Sequence, residues 1–336
     1  MNANPELPHN ELPKILLVLA AFATVPLWIT AVGLYPYLPV EIVIWCIFAM
    51  GYNLALGYTG LPSFGHGAFL GIGGYAFGLA QFNLHPNLWL CLAAAIVAGM
   101  VAGALVAVFI SHRRGIYYAL LTIAFGEVYF FIATKWHDVT GGEDGLLNIR
   151  RLPAEFGFFS VRLDDNWTLF YFVLALFAIV IAGLWRLTRS RFGTVIQAIN
   201  QNDRRAAAIG YNVWVYKFLV FALSSGVAGL AGALLAMAQQ GAYVQVMSLQ
   251  WSGIVVLMTL IGGGLVSFWG PVLGTIVFFL ARDVLGAATE TWLLWYGLSF
   301  MLIIMFKPEG IAGILQDLGR RMERPRPVQA RSSGLQ

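Results

Sequence analysis

RSRFGTVIQAINQNDRRAAAIGYNVWV, residues 189–215, is a basic, polar island in an apolar chain. It is long enough for two short helices, and it runs directly into the apolar stretch FLVFALSSGVAGLAGALLAMA (218–238). On a membrane-embedded protein, a structured polar segment of this kind is a docking platform for a soluble partner. The plainer alternative is a positively charged loop lying on lipid headgroups.

Working outward from the island, composition fixes the class. The 336 residues are 59% hydrophobic and only 11% charged, whereas a soluble domain carries about a quarter of its residues as charges. Mean hydropathy is +0.76. The 20 basic and 16 acidic residues are confined to a few gaps between nearly charge-free runs. This predicts an all-α, polytopic membrane bundle. A β-barrel is excluded because the runs are continuous rather than alternating. Cys46 and Cys91 both lie in apolar runs and read as small buried hydrophobes, not as a disulfide or a metal site. The first apolar run has only Lys14 before it as a basic residue, and many spans follow, so it reads as a retained helix rather than a cleaved signal.

Apolar runs lie near 15–34, 40–57, 65–81, 88–110, 116–134, 167–187, 216–240, 251–266, 268–286 and 291–306. They predict about ten spans, the shorter ones broken or re-entrant. Basic residues orient them. Arg113 and Arg114 occupy one gap, while Arg186, Arg189, Arg191, Arg204, Arg205 and Lys217 outweigh Asp203 in the island. The gap at 135–166 is the acidic one. An inside N-terminus puts every basic segment in the cytoplasm and the acidic gap outside. The expected organisation is a cytoplasmic segment (1–14), one transmembrane domain (15–318) with an outer periplasmic loop (135–166) and an inner loop (189–215), and a tail (319–336). That tail is Arg- and Pro-rich without an apolar face, which predicts a disordered extension near anionic lipid.

Glycine is the second signal. Gly67/Gly71, Gly74/Gly78, Gly99/Gly103 and Gly270/Gly274 are small-xxx-small pairs, which let helices approach closely in lipid. A short echo links the halves: Gly60-Leu61-Pro62-Ser63-Phe64 and Gly264-Leu265-Val266-Ser267-Phe268. Paired Gly/Pro-interrupted segments mark pathways in transporters built from repeats. Ser63, Phe64, His66, Ser267 and Phe268 are therefore candidates for a translocation path or a helix break. Gly262-Gly263-Gly264 reads as a break and not as a phosphate cradle.

The segments GYNLALGYTGLPSFGHGAFLGIGGYA (51–76), RGIYYALLTIAFGEV (114–128), TGGEDGL (140–146), the island with its following helix (190–234), LIGGGLVSFWGPVLG (260–274) and FKPEGIAG (306–313) run in order over almost the whole chain. Together they resemble the M-type permease subunits of ATP-binding-cassette importers for branched-chain amino acids. The resemblance implies a multi-pass protein of the bacterial inner membrane. Its implied partners are a homologous H-type permease, two ATP-binding cassette subunits and a periplasmic solute-binding protein. It implies no cofactor in this chain and no nucleic-acid partner. ATP and magnesium would be bound on the partners, consistent with the lack of a G-x-x-x-x-G-K-[ST] loop here. Gln201-Asn202-Asp203 departs from the family's more usual Glu-Asn-Glu, lowering the negative charge of the loop without shifting its register.

Within the island, Asn202 and Asp203 can cap a helix start. Arg204 and Arg205 precede a small knob of Ala206, Ala207, Ala208 and Gly210. A small-faced helix fits a groove, and its arginines can pair with acidic rims. The resemblance makes this the coupling helix that meets the ATPase. Glu127 lies mid-span, where a carboxylate belongs against a bundle interior, water or a cation: it reads either as a path residue that meets the ammonium of a zwitterionic solute or as half of a structural pair, with Arg282 one candidate partner. His66 reads either as a path residue or as a hydrogen-bonded packing residue. Thr140, Gly141, Gly142, Glu143 and Asp144 read either as a docking surface for the binding protein or as a turn closing the fifth span. Urea, short amides and aromatic acids are alternative substrates. An ion-coupled secondary transporter is the alternative mechanism, weakened by the shortage of intramembrane carboxylates. No nucleophile–base constellation points to an enzyme.

Overall fold

The computed structural model describes residues 12–314, apart from 30–32, 34, 85, 156–159, 266 and 308. Residues 1–11 and the tail assigned to 319–336 lie outside them. The longer helices are α1 (Leu12–Ala23), α2 (Leu38–Leu56), α3 (Gly67–Asn83), α4 (Leu88–Ile110), α5 (Gly115–Lys135), α6 (Asn166–Thr188), α7 (Arg191–Ala208), α8 (Val213–Gln239), α9 (Leu249–Gly262), α10 (Gly270–Ala288) and α11 (Trp292–Phe306). Ten of them fall on the ten apolar runs; α7 is the polar island. The structure divides the expected set of about ten spans, broken or re-entrant ones included, by length. The helices α2, α4, α5, α6, α8 and α10 are long and apolar enough to cross a membrane. The other four, α1, α3, α9 and α11, have 12 to 17 residues, and about 20 are needed to cross alone.

Two of the helices start on side-chain caps that the sequence carries. Asn87 accepts from the backbone N–H of Trp89 and Leu90, and Asp165 from those of Trp167 and Thr168. The core is built around α2 and α8. Every residue of α2 is buried, and α8 is buried over 78% of an 18-residue apolar stretch.

Glycine sets the closeness of that packing. A Cβ on Gly73 would collide with Gly229 of α8, and one on Gly99 or Gly103 would collide with the Ser225–Gly229 stretch of the same helix. In α10, a Cβ on Gly270 or Gly274 would enter the backbone of α9 and of the turn that follows it. With no hydrophobic force between helices in lipid, backbone contact of this kind supplies the dispersion attraction. Trp45 of α2 stacks on Trp251 of α9 at 4.8 Å, tying the two halves together.

The ends of the bundle differ. At one end lies the long acidic connection, where β1 (Leu146–Leu147) pairs antiparallel with β4 (Gly241–Ala242) and β2 (Ala154–Glu155) with β3 (Ser160–Val161). Arg151 clamps this connection by donating to the carbonyls of Asp164 and Ala238 and to Asn166 Oδ1. Gln81 exchanges two hydrogen bonds with the backbone of Arg150. The polar island lies at the opposite end, beside the C-terminus of α2 and the starts of α5 and α8.

Candidate functional site

The polar island folds as two helices, as its sequence predicts. Within α7 the backbone is extended at Asn202 (φ −162°, ψ 100°), dividing Arg191–Gln201 from Asp203–Ala208. Asn202 Oδ1 accepts from the Arg205 N–H at 3.1 Å and so caps the second helix. Ser190 caps the first. The second helix ends in a Schellman turn: the Tyr211 N–H reaches the Ala206 carbonyl and the Gly210 N–H the Ala207 carbonyl. Gly210 sits at φ +98° with open space around its Cα, so its role is to end the helix.

The small-residue knob divides. Ala206 is buried with Val195 and Ile199, against Val213 and Tyr216, and therefore does not belong to the exposed surface. Arg204, Arg205, Ala207, Ala208 and Gly210 are exposed. They are joined by Ile209, a branched apolar residue 72% exposed, which the focus on alanines overlooked.

Asp203 does more than start a helix. Its Oδ2 lies 2.6 Å from Arg114 Nε, just before α5, and 3.2 Å from Lys217 Nζ in the first turn of α8. One residue layer back, Asn200 Nδ2 donates to the Gly57 carbonyl, just past α2, at 2.8 Å. The island is thus pinned to three membrane helices at once. The sequence counted Arg114 and Lys217 as orienting charges but not as partners of Asp203, because the chain between each of them and Asp203 folds in a way a sequence does not show.

Above the island lies the break between α2 and α3. Gly57, three residues before the first echo segment, faces the carbonyl of Gly264, the first residue of the second, across a gap too small for a Cβ. Backbone donors freed by the break find hydroxyls on different helices. The Ser63 N–H reaches Tyr52 Oη at 3.3 Å, the Phe64 N–H reaches Thr122 Oγ1 at 3.1 Å, and the Gly67 N–H reaches Ser252 Oγ at 2.9 Å. Irregular backbone at membrane depth requires such partners.

His66 is fully buried among Phe48, Tyr52, Phe69 and Phe221. Ser224 Oγ donates to the Gly51 carbonyl at 2.7 Å, so its lone pair accepts from His66 Nε2–H at 2.9 Å. His66 Nδ1 is left as the acceptor facing Ser63 Oγ at 3.4 Å. Ser63 and His66 are therefore stitched into packing, and Phe64 covers it in part. In the second break, Ser267 Oγ accepts from the Trp269 N–H at 3.3 Å, turning the chain into α10, and Phe268 packs against Trp269. The voids around the breaks are small. One lined by Asn53, Tyr58, Leu184 and Phe268 holds about 10 Å³, room for about one water.

The partnering of Glu127 with Arg282 is overturned. Arg282 makes a bidentate pair with Glu41 of α2 (3.1 Å to each oxygen), binds Tyr35 Oη at 3.0 Å and Asp283 at 3.1 Å, and lies over the Phe279 ring. Burial pushes the Tyr35 hydroxyl above its ordinary pKa, against the pull of Arg282. Glu127 instead faces outward on α5, exposed and without a hydrogen-bond or ion-pair partner among the described residues.

The acidic turn also divides. Thr140 is buried and donates to the Ala133 and Trp136 carbonyls, closing α5. Gly141 and Gly142 take positive φ (76° and 67°), and Gly142 is buried against His137. Glu143 and Asp144 are exposed to solvent.

These elements and this order are those of a known family. Its sequence pattern, described as the branched-chain amino acid transport system permease component, matches residues 37–306. The chain belongs to this family. Among curated relatives, the high-affinity branched-chain amino acid transport system permease proteins LivM of Salmonella typhimurium and of Escherichia coli are each 27% identical over 289 residues, covering 80% of this chain and 67% of theirs. A probable branched-chain amino acid transport permease protein LivM of Methanocaldococcus jannaschii is 23% identical over 313 residues, covering 79% of this chain and 89% of its own. No solved structure matches the chain. The family and the apolar helices make it a multi-pass protein of the inner membrane.

Proposed function

We propose that this chain is the M-type permease subunit of an ATP-driven importer for branched-chain amino acids. It forms the translocation path together with a homologous H-type permease, and it takes its solute from a periplasmic binding protein. ATP and magnesium are bound and turned over on two ATP-binding cassette subunits that dock on α7. The N-terminus and α7 face the cytoplasm, and the bundle crosses the membrane about ten times when its shorter helices are included.

The observation that carries this reading is the second half of α7. A short capped helix presents Arg204, Arg205, Ala207, Ala208 and Ile209 to solvent, while Asp203 and Asn200 hold it to three membrane helices. An apolar tip between arginines suits a groove with an acidic rim, and the triple attachment lets movement of that groove reach the bundle. Glu143 and Asp144, at the other end, are the acids offered to the binding protein. Substrate choice follows from the family and from the apolar composition, which suits a zwitterion with an aliphatic side chain better than a sugar.

The test is reconstitution of the whole complex. It should co-purify as two permeases with two ATPases and take up leucine only with its binding protein and ATP. Ala207→Glu should leave the complex inserted and separate ATP hydrolysis from uptake. Normal coupled uptake in that variant would remove α7 from the mechanism. A co-encoded binding protein that took only a sugar or a metal chelate in calorimetry would remove the amino acid.

A further inference from the structure

We propose that Glu127 lines the solute path as its anionic contact, and that the stripe of α5 around it receives the ammonium and aliphatic groups of the solute. The second half of this statement rests on the importer reading above; the first does not.

The helix α5 is the most weakly buried of the long spans: 22% of it is covered, against 100% for α2 and 39% each for α4, α6 and α10. Its inner side carries Thr122 and Gly126, which lie directly on the break at Phe64 and Gly65. One residue further round the helix, Glu127 turns outward. It stands twelve residues from the first residue of α5, at 1.5 Å per residue about 18 Å along a helix of about 31 Å. That is near the middle of the hydrocarbon layer, one of the least favourable places for a carboxylate exposed to lipid tails.

The other exposed faces of the bundle differ. Outward residues of α4 are Val97, Val101, Leu105, Val108 and Phe109, and α6 presents Tyr171 and Ile179. Those faces suit lipid. The α5 face combines one acid with Leu120, Ala124, Val128 and Phe131 at helical spacing. A single negative charge in an apolar wall matches a solute that carries one cationic group beside an aliphatic chain. Among the described residues the break around His66 is packed shut, and the void lined by Asn53, Tyr58, Leu184 and Phe268 admits about one water. The path therefore runs along the outside of this chain, between α5 and the homologous permease.

The experiment uses the reconstituted complex and water-soluble thiol reagents. Both native cysteines of this chain are buried, so labelling read on its own band starts from a silent background. Cysteine at Glu127 should react readily and be protected by leucine in the working importer. The control is Val101→Cys on the apolar α4 face, which should not react. Equal, slow reaction at both positions would overturn the path placement. A second variant avoids losing the acid itself. In Ala124→Cys, one helical turn away at about 6 Å, a cationic reagent should outpace an anionic one by about tenfold more than it does when Glu127→Gln is added. An unchanged ratio would overturn the anionic role. Finally, Glu127→Gln should lower leucine uptake at least tenfold and Glu127→Asp should restore part of it; full uptake by Glu127→Gln would exclude an ammonium contact. If the importer carried another class of solute, wild type would fail to take up leucine and leucine would not protect, while the ready reaction of Glu127→Cys against Val101→Cys and the charge selectivity at Ala124→Cys still stood. The two readings therefore fail separately.

Discussion

Asp203 offers the sharpest perturbation of the attachment between α7 and the membrane helices. Its carboxylate serves two cations of unequal exposure. The Arg114 side chain is 51% exposed and that of Lys217 only 6%, with Asp203 at 17%. An exposed ion pair contributes about 0–1 kcal/mol, whereas removing one partner of a buried pair costs about 3–5 kcal/mol by stranding the other charge. Asp203→Ala should therefore cost about 3 kcal/mol, nearly all of it through Lys217. Arg114→Ala should cost less than about 1 kcal/mol. The cost belongs to the stranded ammonium, so Lys217→Met added to Asp203→Ala should return about 2 kcal/mol, a coupling within the range found for residues in contact. Denaturant titration of the purified permease pair in micelles reads these differences, and leucine-dependent ATP hydrolysis by the complex reads their consequence. Additive losses in the double variant, or equal losses from Arg114→Ala and Asp203→Ala, would refute the reasoning.

Further expectations concern other anchors. Gly210→Ala meets no atom but must adopt φ +98°, which should cost about 1–2 kcal/mol in the same titration; a neutral result would mean the Schellman turn is dispensable. Asn202→Ala removes the cap on the second half of α7 and should cost about 1 kcal/mol, read as faster proteolysis within 202–210. Gly229→Leu drives a side chain into the Ala95 carbonyl and Gly99 and should cost about 3 kcal/mol or prevent assembly, read as loss of the folded peak in size-exclusion chromatography. Glu41→Gln removes the charge from the bidentate Arg282 clamp and leaves it one acceptor in place of two, and should destabilise more than Asp283→Asn, read by the denaturant midpoint.

Helix positions, the two-part island and the break at 60–66 were legible because each leaves a local mark: an apolar run, an Asn four residues before a small knob, a Gly-Pro interruption. Pairing was not. The sequence offered Arg282 to Glu127 because both are charges in apolar runs, but Glu41, hidden at the start of α2, is the acid whose height and face meet that arginine. For His66 the sequence left a path residue and a packing residue both open; only the converging serines show the second. Ile209 escaped notice because an isoleucine in an apolar chain carries no signal until its exposure is known. Which of the shorter apolar runs complete a crossing was not legible, because a run shorter than the hydrocarbon thickness does not show whether its helix spans alone.

The break between α2 and α3 has a consequence for biogenesis. Its donors are satisfied by Thr122, 58 residues after Phe64, and by Ser252, 185 residues after Gly67. At about 5–20 residues per second of synthesis, the second partner emerges about 10–40 s after the first amide needs it. Through that interval the α2–α3 hairpin cannot rest in lipid with its amides bare. It must wait against water or the insertion machinery until α9 arrives, so a hairpin made long before α9 is sealed only with it.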